Sequence, residues 1–221
     1  MPPSRARSND PGNWRASLPA SPASHRTDNS RELDEMGEPL TFVVTFVLRV
    51  AALLFLLRFI LQAARASFYN PFSSGVVRIT DPVLNPVRLI LRPYRNLDIA
   101  AFATAWIVHT VAVVLQVWSA GMPMDVLAIL NDGLRATLGL VIGIFLVAVF
   151  VSVIMSWIAP GVYSPAAGIA REIAEPILAP ARRILPPLGG LDLSPMITIL
   201  VLILIQSFAL NALLPCRLWC G

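Results

Sequence analysis

The chain of 221 residues is 56% hydrophobic and only 14% charged, and its mean hydropathy is +0.70. This composition excludes an ordinary soluble domain and predicts an all-α integral membrane protein. The net charge of +4 and the pI of about 9.8 do not indicate nucleic-acid binding, because the basic residues beyond the N-terminal tail lie mainly beside apolar runs, where they orient a membrane protein.

The N-terminal segment 1–39 is rich in Pro, Ser and Arg, and no apolar run precedes Leu40. Such a composition predicts a disordered tail and not a signal peptide. Met36 is an alternative start of the chain, so translation of residues 1–35 is left open.

Four apolar runs are each long enough to cross a hydrocarbon core of roughly 30 Å, and we expect transmembrane helices at about 41–64, 98–118, 134–158 and 195–214. Arg58 lies near the end of the first span and is expected to snorkel to the headgroups. Arg49 lies deeper and needs a partner or a water-filled cavity. Further polar side chains fall in the later spans: His109, Gln116, Gln206 and Asn211.

His109 has two readings. An ionisable residue inside a membrane is a candidate haem ligand or proton relay. A haem in a helical bundle usually needs a second axial ligand, however, and the other histidine, His25, lies in the tail. We therefore expect His109 to be hydrogen-bonded inside the bundle, and the sequence indicates no metal site and no cofactor.

An internal duplication organises the chain. At an offset of 94 residues, DPVLNPVRLILRPYRNLDIAA (81–101) aligns without a gap with EPILAPARRILPPLGGLDLSP (175–195). We assign repeat 1 to 40–118, a short connector to 119–133, repeat 2 to 134–214 and a C-terminal tail to 215–221. The structural residues of the motif are Pro82, Pro86, Pro93, Asp98, Pro176, Pro180, Pro186, Pro187, Gly189, Gly190, Asp192, Ser194 and Pro195.

Each motif predicts a short helix lying in the membrane interface, so that a repeat consists of span, interfacial helix and span. Asp81 and Pro82 are typical of a helix start, and Asp98 and Ser194 are expected to cap the spans that follow. The paired prolines fit a kinked interfacial helix, although they could instead unwind a helix and expose carbonyls to an ion or substrate.

Arginines occupy the polar face of each motif helix. They could bind a cytoplasmic partner or anionic headgroups, or they could only fix topology and helix depth. The candidates for partner or lipid binding are Arg88, Arg92, Arg182 and Arg183. Their placement predicts that both motif hairpins face the cytoplasm of a bacterial inner membrane and that both termini lie outside.

Two weaker patterns complete the chain. Gly139 and Gly143 stand one turn apart in the third span, a spacing that lets helix backbones approach closely in lipid. Cys216 and Cys220 could form a disulfide if the C-terminus is outside. Asp98 and Asp192 could in principle act as paired acids, but capping and salt bridges to nearby arginines already explain them.

These motifs resemble the YggT family of small bacterial and plastid membrane proteins, in its two-repeat bacterial form. The likeness rests on the duplicated Pro-x3-Pro-x-Arg motif, RRILPPLGGLDLSP (182–195), FYNPF (68–72) and IMSW (154–157), and it covers 36 to about 214. Repeat 1 departs from the pattern at 94–96, where Tyr-Arg-Asn replaces the Pro-Leu-Gly-Gly type of turn.

The resemblance implies an accessory or assembly role in a membrane and no reaction. Members are linked to osmotic-stress tolerance and to envelope or cell-division gene neighbourhoods, and plastid relatives to haem attachment in the cytochrome bf complex and to nucleoid distribution. We therefore expect a non-enzymatic accessory protein of envelope homeostasis that contacts membrane lipids or an unknown protein partner and that could form a homo-oligomer.

A small ion or solute channel or transporter is the alternative. In that case five side chains would line a polar path through the two repeats or through an oligomer: Arg49, His109, Gln116, Gln206 and Asn211.

Overall fold

The computed structural model describes residues 22–67, 69–93, 95–158, 164–184 and 192–214, with the backbone alone for 22–38. The described chain contains seven α-helices and no β-strand: α1 Pro22–Ala63, α2 Pro71–Ile90, α3 Ile99–Ser119, α4 Val126–Ile158, α5 Pro165–Ile184, α6 Ser194–Leu204 and α7 Leu210–Leu213. A π-helical segment, Ile205–Ala209, joins α6 to α7.

Two compact units divide the chain, Met1–Leu40 and Thr41–Gly221. In the first unit, α1 begins at Pro22, inside the segment that the sequence predicts to be a disordered tail. Residues 31–36 read Arg-Glu-Leu-Asp-Glu-Met, and most of these residue types have high helix propensity.

Four stretches are long and apolar enough to cross a membrane: Pro39–Ala63, Ile99–Ser119, Val126–Ile158 and Ser194–Ala212. They match the four predicted spans and confirm an all-α, multi-pass membrane protein. The third begins at Val126, eight residues before its predicted start at 134. The Asp125 carboxylate accepts hydrogen bonds from the amides of Leu127 and Ala128, at 3.0 and 3.3 Å, and so caps α4 inside the predicted connector.

The two motif helices correspond residue for residue. Adding 94 to the bounds of α2, Pro71–Ile90, gives the bounds of α5, Pro165–Ile184. Leu84 of α2 and its counterpart Leu178 of α5 are both buried. The duplication seen in the sequence is therefore also present in the secondary structure of the motifs.

The predicted helix start at Asp81 and Pro82 is wrong. Asn70 caps α2 eleven residues earlier, accepting the amide hydrogen of Phe72 at 3.1 Å, and Pro71 occupies the first turn, where its missing N–H costs nothing. Ser164 caps α5 in the same way, its hydroxyl accepting the amide hydrogen of Ala167 at 3.1 Å.

All four motif prolines consequently lie inside helices: Pro82 and Pro86 in α2, Pro176 and Pro180 in α5. Neither helix is broken there, which contradicts the unwound-helix alternative. Each proline removes one backbone donor but leaves the helical path intact, as a helix at a protein surface can tolerate.

The core of the second unit joins α1, α3, α4 and α5 through small and branched side chains. Ala52, Leu56 and Ile60 line one face of α1 at four-residue spacing, and each is at most 1% exposed. The motif helices meet beside this core, where Asn70 Nδ2 donates to the Pro165 carbonyl oxygen at 2.7 Å. Glu172 adds a second link, accepting the Ser67 amide hydrogen at 3.0 Å. Both motifs therefore lie at the same end of the bundle.

Candidate functional site

The first ion-pair cluster ties the three helices of repeat 1 together. It consists of Arg88 with Asp81 and Asp98, and of Arg58, which contacts the same Asp81 oxygen as Arg88. Arg88 Nη1 lies 3.5 Å from Asp81 Oδ1, and Arg88 Nη2 bonds directly to Asp98 Oδ2. The second oxygen of Asp98 accepts the Ala101 amide hydrogen at 3.3 Å, which is the capping predicted for this residue.

The sequence predicts that Arg58 snorkels to the headgroups, but its side chain does not extend outward. Its side chain is buried, and its Nη2 lies 3.2 Å from Asp81 Oδ1. Because α2 begins earlier than the sequence indicates, Asp81 lies in mid-helix beside α1. A carboxylate at that point makes burial of the guanidinium tolerable, since a buried cation is costly unless it is paired.

The second ion-pair cluster repeats this arrangement 94 residues later. Arg182 Nη1 lies 2.9 Å from Glu175 Oε2, and Arg182 Nε lies 3.0 Å from Asp192 Oδ2. Glu175, Arg182 and Asp192 stand at the positions of Asp81, Arg88 and Asp98. In both repeats, therefore, an arginine holds acids seven residues before it and ten residues after it.

The two clusters differ in exposure. The side chain of Asp98 is 0% exposed, whereas that of Asp192 is 38% exposed. Ser152 stands at the position of Arg58 in repeat 2, so the second cluster lacks the buried second arginine. The first cluster is thus buried at Asp98 and Arg58, whereas the second is a surface network open to water and ions.

Charge and hydrogen bonding shift the pKa values of the second cluster. Partial burial opposes the charged form of Asp192, but hydrogen bonds from Ser194 and Arg182 outweigh it and hold the pKa of Asp192 below its ordinary value. Burial likewise opposes the charge of Arg182, and the hydrogen bond to Asp192 together with Glu175 raises its pKa overall. Both groups remain charged near neutral pH.

Capping of α6 differs from the prediction. Ser194 is the first helical residue and not the cap, and the Asp192 carboxylate accepts its amide hydrogen at 3.0 Å. Pro195 is buried in the first turn of α6, and Pro93 follows α2 at the surface. Four motif residues lie outside the described ranges: Pro186, Pro187, Gly189 and Gly190.

The arginine candidates fall into two groups. Arg88 and Arg182, the one arginine pair in register between the repeats, are engaged by carboxylates. Arg92 and Arg183 are exposed and take no part in the ion pairs that the described residues form. The in-register arginine therefore fastens each motif helix to the start of the next span, and the exposed pair is left for contacts outside the chain.

His109 lies between α3 and α4 and is hydrogen-bonded inside the bundle, as predicted. Its Nδ1 lies 2.9 Å from Thr137 Oγ1, and both residues are buried. The Thr137 hydroxyl donates its single hydrogen to the Gly133 carbonyl at 2.8 Å, so it accepts from His109. His109 Nδ1 therefore carries the hydrogen, and Nε2 is an acceptor in the neutral ring.

A cleft of about 410 Å³ opens between α1, α3 and α4. Arg49 and His109 supply its polar lining, and four small or apolar side chains complete it: Val50, Leu53, Ala136 and Leu140. Arg49, which the sequence predicts to need a partner or a water-filled cavity, lines this cleft.

The remaining polar residues of the spans lie elsewhere. Gln116, Gln206 and Asn211 do not line this cleft. Gln206 is exposed in the π-helical segment, and Asn211 Oδ1 accepts from Arg135 Nη2 at 2.5 Å. The structure thus brings together two of the five side chains of the predicted polar path.

Sequence reasoning missed Arg135, because its contact depends on how α4 and α7 pack. The predicted span 134–158 put Arg135 at its very edge, whereas the start of α4 at Val126 places it deeper within the span, where an arginine needs a partner. Cys216 and Cys220 lie outside the described ranges. Within the part of the chain that the structure describes, no group of three or more His, Cys, Asp or Glu could hold a metal ion.

Comparison with known protein families finds the same two repeats that the structure shows. The family model described as CCB3/YggT matches the chain twice, at 37–119 and 132–213, and so covers both repeats. The chain belongs to this family. The family's two matches each contain one motif helix with its ion-pair cluster.

Individual proteins are also similar to this chain over most of its length. An uncharacterized protein of Pseudomonas aeruginosa is 42% identical over 163 residues, which cover 73% of this chain and 83% of that protein. The uncharacterized protein YggT of Escherichia coli K12 is 38% identical over 176 residues, covering 76% and 87%. No solved structure matches.

Proposed function

We propose that this protein is a non-enzymatic accessory component of a bacterial inner membrane, and that the exposed arginines of its motif helices bind anionic lipid headgroups. The observation that carries the proposal is that two of the candidate arginines are ion-paired within the chain and two are not. Arg88 and Arg182 are bound by carboxylates of their own repeats, whereas Arg92 and Arg183 are exposed beside the ends of α2 and α5. An exposed guanidinium binds phosphate oxygens well.

Helix α2 supports this placement. Its exposed side carries apolar residues, with Ile79 63%, Val83 47% and Ile90 84% exposed, next to a basic face. A helix of this kind lies in the interface with its apolar side toward acyl chains and its arginines at headgroup level. Electrostatic attraction to anionic headgroups is worth about 1 kcal/mol for each arginine near the surface.

The test compares lipid retention by the purified full-length protein. Native mass spectrometry counts phosphatidylglycerol and phosphatidylcholine of equal chain length retained by the wild type and by Arg92→Gln/Arg183→Gln. We expect a preference for phosphatidylglycerol that the double variant loses and that Arg65→Gln, which replaces an exposed arginine between α1 and α2, retains. Equal retention of the two lipids by the wild type would contradict the proposal.

A protein partner at the same surface is the outcome that crosslinking in cells can reveal. A photoreactive residue at position 92 or 183 should yield lipid adducts. Adducts dominated by one protein, lost when the neighbouring arginine is replaced, would assign the surface to that partner and overturn lipid binding.

We place this role in envelope homeostasis under osmotic stress, on the strength of the family resemblance. A deletion strain should then grow poorly at high osmolarity and recover with the wild-type chain but not with the double variant. Equal recovery with both chains would separate the motif arginines from this phenotype.

A small channel or transporter is the second candidate, favoured by the cleft that brings Arg49 and His109 together. Proteoliposomes containing the purified protein would then conduct ions or solutes, and Arg49→Ala would abolish the flux. Absence of flux from wild-type proteoliposomes would reject this candidate.

A further inference from the structure

The cleft between α1, α3 and α4 lies deep in the apolar part of the bundle. Arg49 is ten residues after the start and 14 before the end of the span Pro39–Ala63, or roughly 15 and 21 Å along the helix. His109 is ten residues from either end of α3. Both polar groups of the cleft therefore lie well inside a hydrocarbon core of roughly 30 Å.

Arg49 stands out among the arginines of the spans. Arg58 is ion-paired with Asp81, and Arg135 bonds to Asn211. By contrast, none of the ion pairs or side-chain hydrogen bonds found among the described residues includes Arg49. A guanidinium at this depth is costly without an anion or water beside it.

His109 supplies a second polar group in the same place. Its ring is 95% buried, and Thr137 occupies its Nδ1 side only. Since Nδ1 carries the hydrogen, Nε2 can accept a hydrogen bond from a protonated oxygen. The cleft is thus lined by one cation, Arg49, and one buried hydrogen-bond acceptor, His109.

The remaining lining is Val50, Leu53, Ala136 and Leu140, which provide neither charge nor hydrogen bonds from their side chains. A volume of about 410 Å³ falls in the range of small-molecule sites, which are mostly apolar with a few polar groups that fix orientation. Its occupant should therefore carry one small anionic group on an apolar body.

From this geometry we propose that the cleft binds a single-chain amphiphile with a carboxylate head, such as a long-chain fatty acid. The carboxylate bonds to the Arg49 guanidinium, and the chain lies along Val50, Leu53 and Leu140. A carboxylic acid can reach this depth in its neutral form, pass its proton to His109 Nε2 and pair as a carboxylate with Arg49, whereas the phosphate of a bilayer lipid stays at the headgroup level. Guanidinium and carboxylate match in two-pronged geometry.

Binding of radiolabelled palmitate to the purified full-length protein in detergent tests the proposal. We expect saturable binding of one palmitate per chain. Arg49→Gln should weaken it at least tenfold, and Arg49→Lys should restore part of the loss. Ala136→Phe fills the cleft without touching its charge and should also abolish binding. Arg65→Gln replaces an exposed arginine between α1 and α2, outside the cleft; it is the matched control and should bind as the wild type does.

Competitors identify the head group. Unlabelled palmitate should displace the label at least tenfold better than its methyl ester, which has the same chain and no charge. Equal displacement by the ester, or unchanged binding by Arg49→Gln, would overturn the proposal. Displacement by phosphatidylglycerol as effective as that by palmitate would assign the cleft to a phospholipid phosphate and overturn it too. Thermal unfolding of each variant identifies any that fail to fold. The competitor experiments use only the wild type, so they test the proposal even if a variant does not fold.

Discussion

Arg88 of α2 binds Asp98 at the start of α3, and Asp98 in turn caps α3 by accepting the amide hydrogen of Ala101. One carboxylate thereby fastens two helices. Arg182 and Asp192 do the same in repeat 2, where Asp192 accepts the amide hydrogen of Ser194. The arginine that both repeats share is thus bound within its own repeat, which gives a structural reason for its presence in both motifs.

Neutralising Asp98 should cost far more stability than neutralising Asp192. Asn is also a good cap, so Asp98→Asn removes the ion pair while leaving a capping oxygen. Because Asp98 is 0% exposed, the variant leaves Arg88 partly buried without one partner, and we expect a loss of about 3–5 kcal/mol. Asp192 is 38% exposed, and Asp192→Asn should cost only about 0–1 kcal/mol, as screened surface pairs do.

Unfolding in mixed detergent, followed by circular dichroism, measures both losses. The double variant Arg88→Gln/Asp98→Asn should lose less than the two single losses added together, because the two residues interact directly. Equal losses for Asp98→Asn and Asp192→Asn would show that burial does not distinguish the clusters.

The second cluster should make stability depend on acid pH. The pKa of Asp192 is below its ordinary value in the folded protein, so the folded state favours the charged carboxylate. Its contribution is therefore fully present above the ordinary pKa of roughly 3.9 and is lost as the pH falls through the lower folded pKa. The difference in unfolding free energy between wild type and Asp192→Asn should be constant near neutral pH and shrink below about pH 4. A difference that grew on acidification would contradict the assignment.

Much of the fold could be predicted because the decisive information is local. The four spans follow from runs of apolar residues, and the duplication follows from a fixed offset. The start of α2 could not be placed, since Asn70-Pro71 and Asp81-Pro82 both resemble helix starts and only the structure shows which of them caps the helix. Local sequence supports both.

The residues of the cleft were harder to predict from the sequence, because they come together only through the way the helices are rotated against one another. Arg49, His109 and Ala136 come from three different helices, and nothing in their spacing brings them to one cleft. The ion-pair clusters could be predicted in part from the sequence. The offset that pairs Arg88 with Arg182 also pairs Asp81 with Glu175, and salt bridges to Asp98 and Asp192 were expected.

Gly133 marks the closest approach of α3 and α4. A Cβ added there would lie 2.4 Å from Thr110 Oγ1 and 3.0 Å from Thr110 Cα. Gly133→Ala should therefore force the helices apart and cost about 1–3 kcal/mol, as overpacking does. Thr137, which accepts from His109, donates to the carbonyl of Gly133, so the same shift should disturb that hydrogen bond.

Gly139→Ala is the matched control in the same helix. The sequence favoured Gly139 and Gly143 as the packing positions, but a Cβ at either meets nothing within 4 Å among the described residues. Alanine at Gly139 should be neutral or stabilise the helix by up to about 1 kcal/mol. Thermal unfolding of the two variants in one detergent compares them, and a greater loss for Gly139→Ala would reverse the assignment.

Asn70 both caps α2 and connects the two motif helices. Its Oδ1 accepts from Phe72, and its Nδ2 donates to the Pro165 carbonyl of α5 at 2.7 Å.

Asn70→Ser keeps an oxygen for the cap but its side chain cannot reach Pro165. The stability that this variant loses, about 0.5–1.5 kcal/mol, therefore measures the hydrogen bond between the repeats. Asn70→Ala should lose this amount and the cap, about 1 kcal/mol more. Ser164→Ala loses only a cap and is the control. Hydrogen exchange at the start of α5 separates the two effects. Protection there should fall in Asn70→Ser but not in a variant just beyond α2 that leaves Asn70 intact, such as Arg92→Gln. If Asn70→Ser were as stable as the wild type and equally protected, the hydrogen bond to Pro165 would contribute nothing to the contact between the motif helices.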